Sequence, residues 1–262
     1  GILPPDQYIS VVLQATEGCS FNTCTFCDFY RDRAFRIKRA DEFRQHILAV
    51  KNYLGKGLSL RRTIFLGDAN ALVIPMPHLI ALLEIVNQEL DVEKLGGIFA
   101  FLDGFSGERK TSRDFARLAE LGLKRVYIGM ESGHEPLLKY LHKPGTPNDV
   151  LQAVHNIKAG GVAVGIIILL GTGGKNFASD HIKDTIKLIN AMPLDLDDLI
   201  YFSELIESEN LPYVQSAYHD SLKPLTVEER IQQGEEIEQG LIFDPQRGTP
   251  HISRYDIREF VY

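Results

Sequence analysis

The sequence predicts an α/β fold built on a parallel sheet, and three observations predict it. Six runs rich in Val, Ile, Phe and Tyr are short enough to be strands. Segments of helical period, with start and stop signals, separate them. The runs are continuously apolar rather than alternating, as strands covered on both faces require.

The strands are expected at Tyr8–Thr16, Thr63–Gly67, Gly97–Asp103, Arg125–Met130, Ala163–Leu170 and Leu199–Leu205. The first helix, Asp41–Leu54, opens on an acidic cap and ends before Gly55. Pro77–Leu90 places Leu79, Leu82, Leu83, Val86 and Leu90 on one face. Ser112–Leu121 starts with a Ser cap and stops at Gly122, Asp149–Ala159 stops at Gly160, and Ala178–Asn190 precedes Met192-Pro193. Right-handed crossovers then give either an open doubly wound sheet or a barrel, and the pattern does not choose between them. In both, the active edge is the carboxyl end of the strands. Asn70, Asp103, Tyr201 and Glu204 end or follow strands there and are the substrate candidates. After about Ile206 the character changes: Thr226–Gln239 reads as an acidic helix capped by Thr226, followed by a terminal run, Ile252–Tyr262. The expected organisation is a core at 1–206 and a C-terminal extension at 207–262 packed on it.

Of 262 residues, 44% are apolar and 24% charged, which is ordinary globular usage and excludes disorder and collagen-like structure. The longest apolar run, Gly161 to Leu170, is half of what a membrane span needs, and the N-terminus lacks a basic, apolar leader pattern. The net charge of −7 argues against a nucleic-acid or anionic-membrane surface.

The three cysteines, Cys19, Cys24 and Cys27, lie within nine residues of one another. An odd, clustered set is a poor disulfide framework and a good metal site in a reducing compartment such as the cytoplasm. Thiolates select zinc, copper(I) or iron–sulfur clusters. A fully protein-held 4Fe–4S cluster takes four cysteines. With three in the chain, such a cluster has one iron open to another ligand. The competing reading is a zinc site completed by a histidine such as His46, in a non-catalytic sensor or carrier.

The loop Gly18-Cys19-Ser-Phe-Asn-Thr-Cys24-Thr-Phe26-Cys27, with an aromatic before its last cysteine, resembles the cluster loop of the radical S-adenosylmethionine (radical SAM) enzymes. Further similarities follow in order: Phe65-Leu66-Gly67-Asp68-Ala69-Asn70 after the second strand, Gly129-Met130-Glu131-Ser132-Gly133 after the fourth, and the apolar Gly165–Gly171 on the fifth. The segment Gly67–Val73 and Asp28-Phe29-Tyr30 are most similar to a branch grouped loosely with oxygen-independent coproporphyrinogen oxidase-like proteins. The spacing is Cys-x4-Cys-x2-Cys where the family has Cys-x3-Cys-x2-Cys, and Gly67-Asp68-Ala69 stands where the family has Gly-Gly-Glu. The resemblance implies an incomplete (βα)6 barrel carrying a 4Fe–4S cluster and S-adenosyl-L-methionine (SAM). It implies Cys19, Cys24 and Cys27 as cluster ligands. For SAM it implies Phe26, Gly67, Asp68, Glu131, Ser132, Gly165 and Ile167. The implied activity is reductive cleavage of SAM to a 5′-deoxyadenosyl radical that takes hydrogen from an organic substrate, with a low-potential flavodoxin- or ferredoxin-type electron donor. No cysteine remains for a second cluster.

Two other segments invite sharper readings. Gly171-Thr-Gly-Gly-Lys175 looks phosphate-binding, but Leu169 and Asn176 break the Walker A pattern, and a glycine turn is expected. The basic run from Arg31 to Arg39 is expected to be a solvated loop, with contact to SAM, an anionic substrate or an acidic electron donor as the functional alternative.

Overall fold

The computed structural model describes residues 1–105, 110–208 and 210–256. Its elements, in chain order, are β1 (Ser10–Gln14), β2 (Thr16–Glu17), β3 (Arg36–Ile37), α1 (Ala40–Leu54), β4 (Thr63–Gly67), α2 (Met76–Glu89), β5 (Ile98–Phe101), α3 (Ser112–Glu120), β6 (Leu123–Glu131), α4 (Glu135–Tyr140), α5 (Pro147–Ala159), β7 (Ala163–Leu170), α6 (Gly174–Asn190), β8 (Leu199–Glu204), α7 (Pro212–His219), α8 (Val227–Gly240) and β9 (His251–Tyr255). Seven strands form one parallel sheet in the order β1-β4-β5-β6-β7-β8-β9. The sheet is not closed, since β1 and β9 are its two edges, and it matches the incomplete barrel. No helix among the described residues is long and apolar enough to cross a membrane.

All six expected strands form, two of them (Thr63–Gly67 and Ala163–Leu170) with the expected bounds and the others with shifted ends. The run Tyr8–Thr16 is broken at Ala15, whose N–H reaches Gly67 O and whose carbonyl takes the N–H of Lys38. Beyond that point β2 leaves the sheet and pairs antiparallel with β3. Helix α3 is capped by Thr111, not Ser112: Thr111 Oγ1 accepts from Asp114 N, and Asp114 accepts from Thr111 N at 2.8 Å. Helix α6 starts at Gly174, four residues before the expected Ala178, because Gly173 (φ +75°) turns the chain into it. The short helices α4 and α7 are too brief to show a period in sequence, and each opens with a proline in its first turn. The terminal run, expected over the sheet, enters it: β9 pairs in parallel with β8. The part of that run from 257 to 262 lies outside the described residues.

Period-two geometry sends successive strand side chains to opposite faces. On one face Leu13, Leu66, Ala100, Ile128, Ile166 and Phe202 pack under the helices, against Leu79, Leu82, Phe115, Val154 and Ile157. On the other, Phe65, Phe99, Phe101, Tyr127, Ile167 and Tyr201 form an aromatic interior with Leu3. Phe65 and Phe101 meet edge to face at 5.2 Å, the arrangement ring quadrupoles favour. Asp6 fixes one side of this interior. It accepts from Tyr127 Oη at 2.5 Å, Tyr201 Oη at 2.9 Å and Arg125 Nη1 at 3.0 Å. Burial first, and then Asp6, push both tyrosine hydroxyls well above the usual range, so they stay protonated donors.

Candidate active site

The three thiols sit on the loop between β2 and β3, whose pairing of Thr16 with Ile37 and Glu17 with Arg36 pinches the base of the loop. Distant segments fix the rest. Asp68, at the end of β4, accepts from Gly18 N at 3.1 Å and from Gln14 Nε2 at 3.2 Å. Gly18 itself has φ +74°, and a Cβ there would meet Ala34 O at 3.1 Å, so glycine is required. Thr25 N donates to Leu141 O, and Thr25 O accepts from Tyr213 N at 3.1 Å. Arg31 bridges the backbone of two of the cysteines, donating from Nη2 to Cys24 O at 2.9 Å and from Nε to Cys27 O at 3.0 Å.

Cys19, Cys24 and Cys27 all line one cavity of about 340 Å³. Burial pushes the Cys27 thiol up to about 12 and raises Cys24, which nearby Lys143 opposes. Metal binding must therefore displace protons from both. The donor set fits an iron–sulfur cluster: three soft ligands around an open volume. Among the described residues no three His, Cys, Asp or Glu side chains converge on a single-ion site. His46, the proposed zinc ligand, accepts the Gln14 N–H at 3.0 Å instead.

The Glu131–Gly133 turn is the second fixed part. Glu131 has φ +58°, and its carboxylate pairs with Lys143 Nζ at 3.0 Å. Burial opposes the charge on Lys143, but Glu131, Cys24 and Asp103 together outweigh it, and the ammonium is held above the usual lysine value. Lys143 also stands over the Phe26 ring, 6.0 Å from its centre. The turn docks on α6. Ser132 Oγ meets His181 Nδ1 at 2.6 Å, Gly133 N donates to Thr185 Oγ1 at 2.9 Å, and His134 Nδ1 pairs with Asp184 at 2.7 Å. A Cβ on Gly133 would lie 2.3 Å from Asp184 O, so only glycine permits this approach. Burial pulls His181 down to about 4, leaving it neutral at pH 7.

The cavity thus brings together Cys19, Cys24, Cys27, Phe26, Asn70, Asp103, Glu131, Ile167 and Glu204 from the sequence-based set. Gly67, Asp68, Ser132, Gly165 and Tyr201 stand outside its wall. Asp68 and Ser132 face the loop and turn just described. Gly165 admits the Tyr127 ring, which a Cβ would meet at 2.5 Å. Tyr201 belongs to the Asp6 cluster. Asn70 Nδ2 donates to Ser20 Oγ at 3.0 Å and to Asp103, and Glu204 pairs with Arg230 at 3.1 Å. Sequence reasoning missed Lys143, Tyr255 and Leu211, all on the cavity wall. No motif marks them; the helix-start proline Pro136 was the one signal that the chain folds back after Glu131.

The two ambiguous segments resolve as structural. In the Gly171–Lys175 turn, Gly171 N donates to Gln233, Gly173 N to Tyr213 Oη, and Lys175 Nζ to Glu229. In the basic run Arg36 and Lys38 both reach Glu17 at 2.7 Å, and Arg33 pairs with Asp32.

A family profile described as the Radical SAM superfamily matches residues 13–189. No curated protein is similar enough in sequence to match. Among solved structures, the fold is similar to coproporphyrinogen III oxidase (HemN) from Escherichia coli, a radical SAM enzyme. There the identity is 11% over 88% of this chain and 52% of that one, with a TM-score of 0.63. It is also similar to the cobalamin-dependent S-adenosylmethionine radical enzyme OxsB (17% identity, 88% of this chain and 31% of that one, TM-score 0.56). A third is methylornithine synthase, PylB (13%, 87% and 61%, TM-score 0.57). The chain spans about a third to three fifths of the length of these neighbours. With the profile covering roughly two thirds of its residues, the chain belongs to the Radical SAM superfamily.

Proposed function

We propose that the cavity is where SAM is reductively cleaved and where an organic substrate loses a hydrogen atom. When bound, the reduced cluster and SAM supply a 5′-deoxyadenosyl radical, an abstractor of hydrogen from unactivated carbon. Cys19, Cys24 and Cys27 would hold three corners of the cluster. Phe26, Glu131, Lys143 and Ile167 would orient SAM, while Asp68 and Ser132 act through the loop and turn they brace. The apolar wall excludes water, which a radical reaction needs. In this reading residues 1–206 carry the cofactors, and the 207–262 extension borders the substrate with Leu211 and Tyr255. Asn70, Asp103 and Glu204, which line the cavity, would touch substrate. A flavodoxin- or ferredoxin-type donor would supply the electron, and free thiols suit a cytoplasmic setting.

The observation that carries this reading is that every cysteine of the chain lines one cavity shared with the Glu131–Lys143 pair. Anaerobic reconstitution is expected to load about four irons and four sulfides. Dithionite with SAM should then release 5′-deoxyadenosine, and Cys24→Ala should lose cluster and release together while its circular dichroism is unchanged. Zinc without sulfide would overturn the reading. A loaded protein that binds SAM without releasing the nucleoside would make it a sensor or carrier.

A further inference from the structure

We propose that His181, a buried residue of α6, is a positioning residue for SAM: its Nδ1 takes the hydroxyl of Ser132, beside Thr185, and so holds the turn that aims Glu131 into the cavity. The inference rests on the radical SAM reading and deepens it, since it gives the SAM site a residue that acts from outside the cavity wall.

The turn that carries Glu131 is strained. Glu131 has φ +58°, and Ser132 N donates back to Met130 O at 2.7 Å, closing a three-residue turn around it. Turns of this kind are rare when the central residue carries a side chain. Such backbone persists only where its surroundings over-determine it. The pairing of β6 with β7 shifts register between Gly129 and Glu131, so the ladder is irregular just where the turn begins. Further bonds come from the next two amides. Gly133 N donates to Thr185 Oγ1 at 2.9 Å, and His134 N donates to Ser132 Oγ at 3.0 Å.

Both accepting hydroxyls meet at His181. Its Nδ1 lies 2.6 Å from Ser132 Oγ and 3.2 Å from Thr185 Oγ1. Ser132 Oγ already accepts an N–H, so its own hydrogen is left to give, and a neutral imidazole has one nitrogen able to take it. Burial, and then His134, keep the ring neutral. Nδ1 is therefore the acceptor, and Nε2 carries the ring hydrogen. The helix period brings these groups together. His181, Asp184 and Thr185 stand at i, i+3 and i+4 on one face of α6, and Asp184 meets His134 Nδ1 at 2.7 Å. At the other end of the turn Glu131 meets Lys143 at 3.0 Å, on the wall where SAM would lie.

Two variants of the full chain test this. His181→Leu has similar bulk and no acceptor. His181→Asn is smaller, but its amide oxygen can stand where Nδ1 stood. In the metal-free protein, hydrogen exchange of the Gly133 and His134 amides should be at least tenfold faster in His181→Leu, with β7 amides unchanged, and His181→Asn should recover part of the protection. In reconstituted, unreduced protein, equilibrium dialysis should show SAM bound at least tenfold more weakly by His181→Leu at equal iron content. His181→Asn should bind within threefold of the parent. A role in packing alone predicts the reverse order, because leucine fills the site better than asparagine. Unchanged exchange at the two amides, or SAM held as tightly by His181→Leu as by His181→Asn, overturns the proposal. Should the His181 variants melt well below the parent, Ser132→Ala removes the donated hydroxyl at little change in volume. It should weaken SAM binding at least fivefold, and no weakening overturns the proposal. A parent protein that binds no SAM overturns both readings. One that binds SAM with this His181 dependence and releases no 5′-deoxyadenosine overturns the enzymatic reading alone.

Discussion

Replacing Lys143 by Met tests whether the Glu131–Lys143 pair braces the site. The two charges stand 3.0 Å apart, with side chains 11% and 12% exposed. At an effective dielectric constant of about 20 their attraction is about 5 kcal/mol, most of it offset by the desolvation of both ions. Removing one partner leaves the other buried and uncompensated, which costs about 3–5 kcal/mol. Replacing both by neutral groups of similar size restores most of that. In urea unfolding of the metal-free protein, followed by circular dichroism, Lys143→Met should lose about 3 kcal/mol. In a chain this long that corresponds to a fall in Tm of about 6–12 °C. Glu131→Gln should also destabilise, and the double variant should sit well above the sum of the two, with a coupling of about 2 kcal/mol. A loss below about 1 kcal/mol for Lys143→Met, or additivity within about 0.5 kcal/mol, would refute the reasoning and make the pair a solvated contact.

Asp68→Ala should leave Gly18 N without its acceptor and loosen the cysteine loop, costing about 1–3 kcal/mol and lowering iron occupancy after reconstitution; Asp68→Asn, which keeps an oxygen, should recover part of it. Arg31→Gln removes the fork across Cys24 and Cys27, so a chelator should strip iron from it several-fold faster than from the parent, with the Tm little changed. Glu17 is held at about 2, against 4.5 when unperturbed, by Arg36 and then Lys38. Its stabilisation is present above about pH 4.5 and is lost as pH falls toward 2. Because the carboxylate is a third exposed, the effect is about 1 kcal/mol after screening. Arg36→Gln should reduce this acid-limb loss of stability, read by urea midpoints between pH 5 and pH 2.

The inner strands β4, β5, β7 and β8 were legible because they are buried on both faces and read as apolar runs. Ala163–Leu170 has the bounds that its composition predicts, and Thr63–Gly67 likewise. Ends decided by tertiary bonds were not legible. Nothing local to Ala15 announces that its N–H belongs to Gly67 or that β2 must turn away to close the cysteine loop. The same holds for the site. Cysteine spacing and the Gly129–Gly133 segment mark which residues converge, yet side-chain direction is set by partners far along the chain. Ser132 turns from the cavity because His181, 49 residues on, offers a buried nitrogen. Asp68 turns toward Gly18 for a similar reason, and Lys143 enters because α4 folds back. Sequence motifs therefore locate the site, and only the fold separates residues that touch its contents from residues that hold its walls.

That separation has a consequence for how the extra residue in the first cysteine interval is tolerated. A free loop of this length would spend conformational entropy each time it gathered three thiols around one centre. Here the entropy is lost on folding. The loop is pinched by β2 and β3, tied to β4 through Asp68, to the end of α4 through Leu141, and to the start of α7 through Tyr213. These anchors come from three separate elements and hold the loop that carries the thiols against the rest of the fold. The interval between Cys19 and Cys24 then sets only the path between two fixed points. An added residue there lengthens the arc between anchors that other segments fix, and all three thiols still line the one cavity.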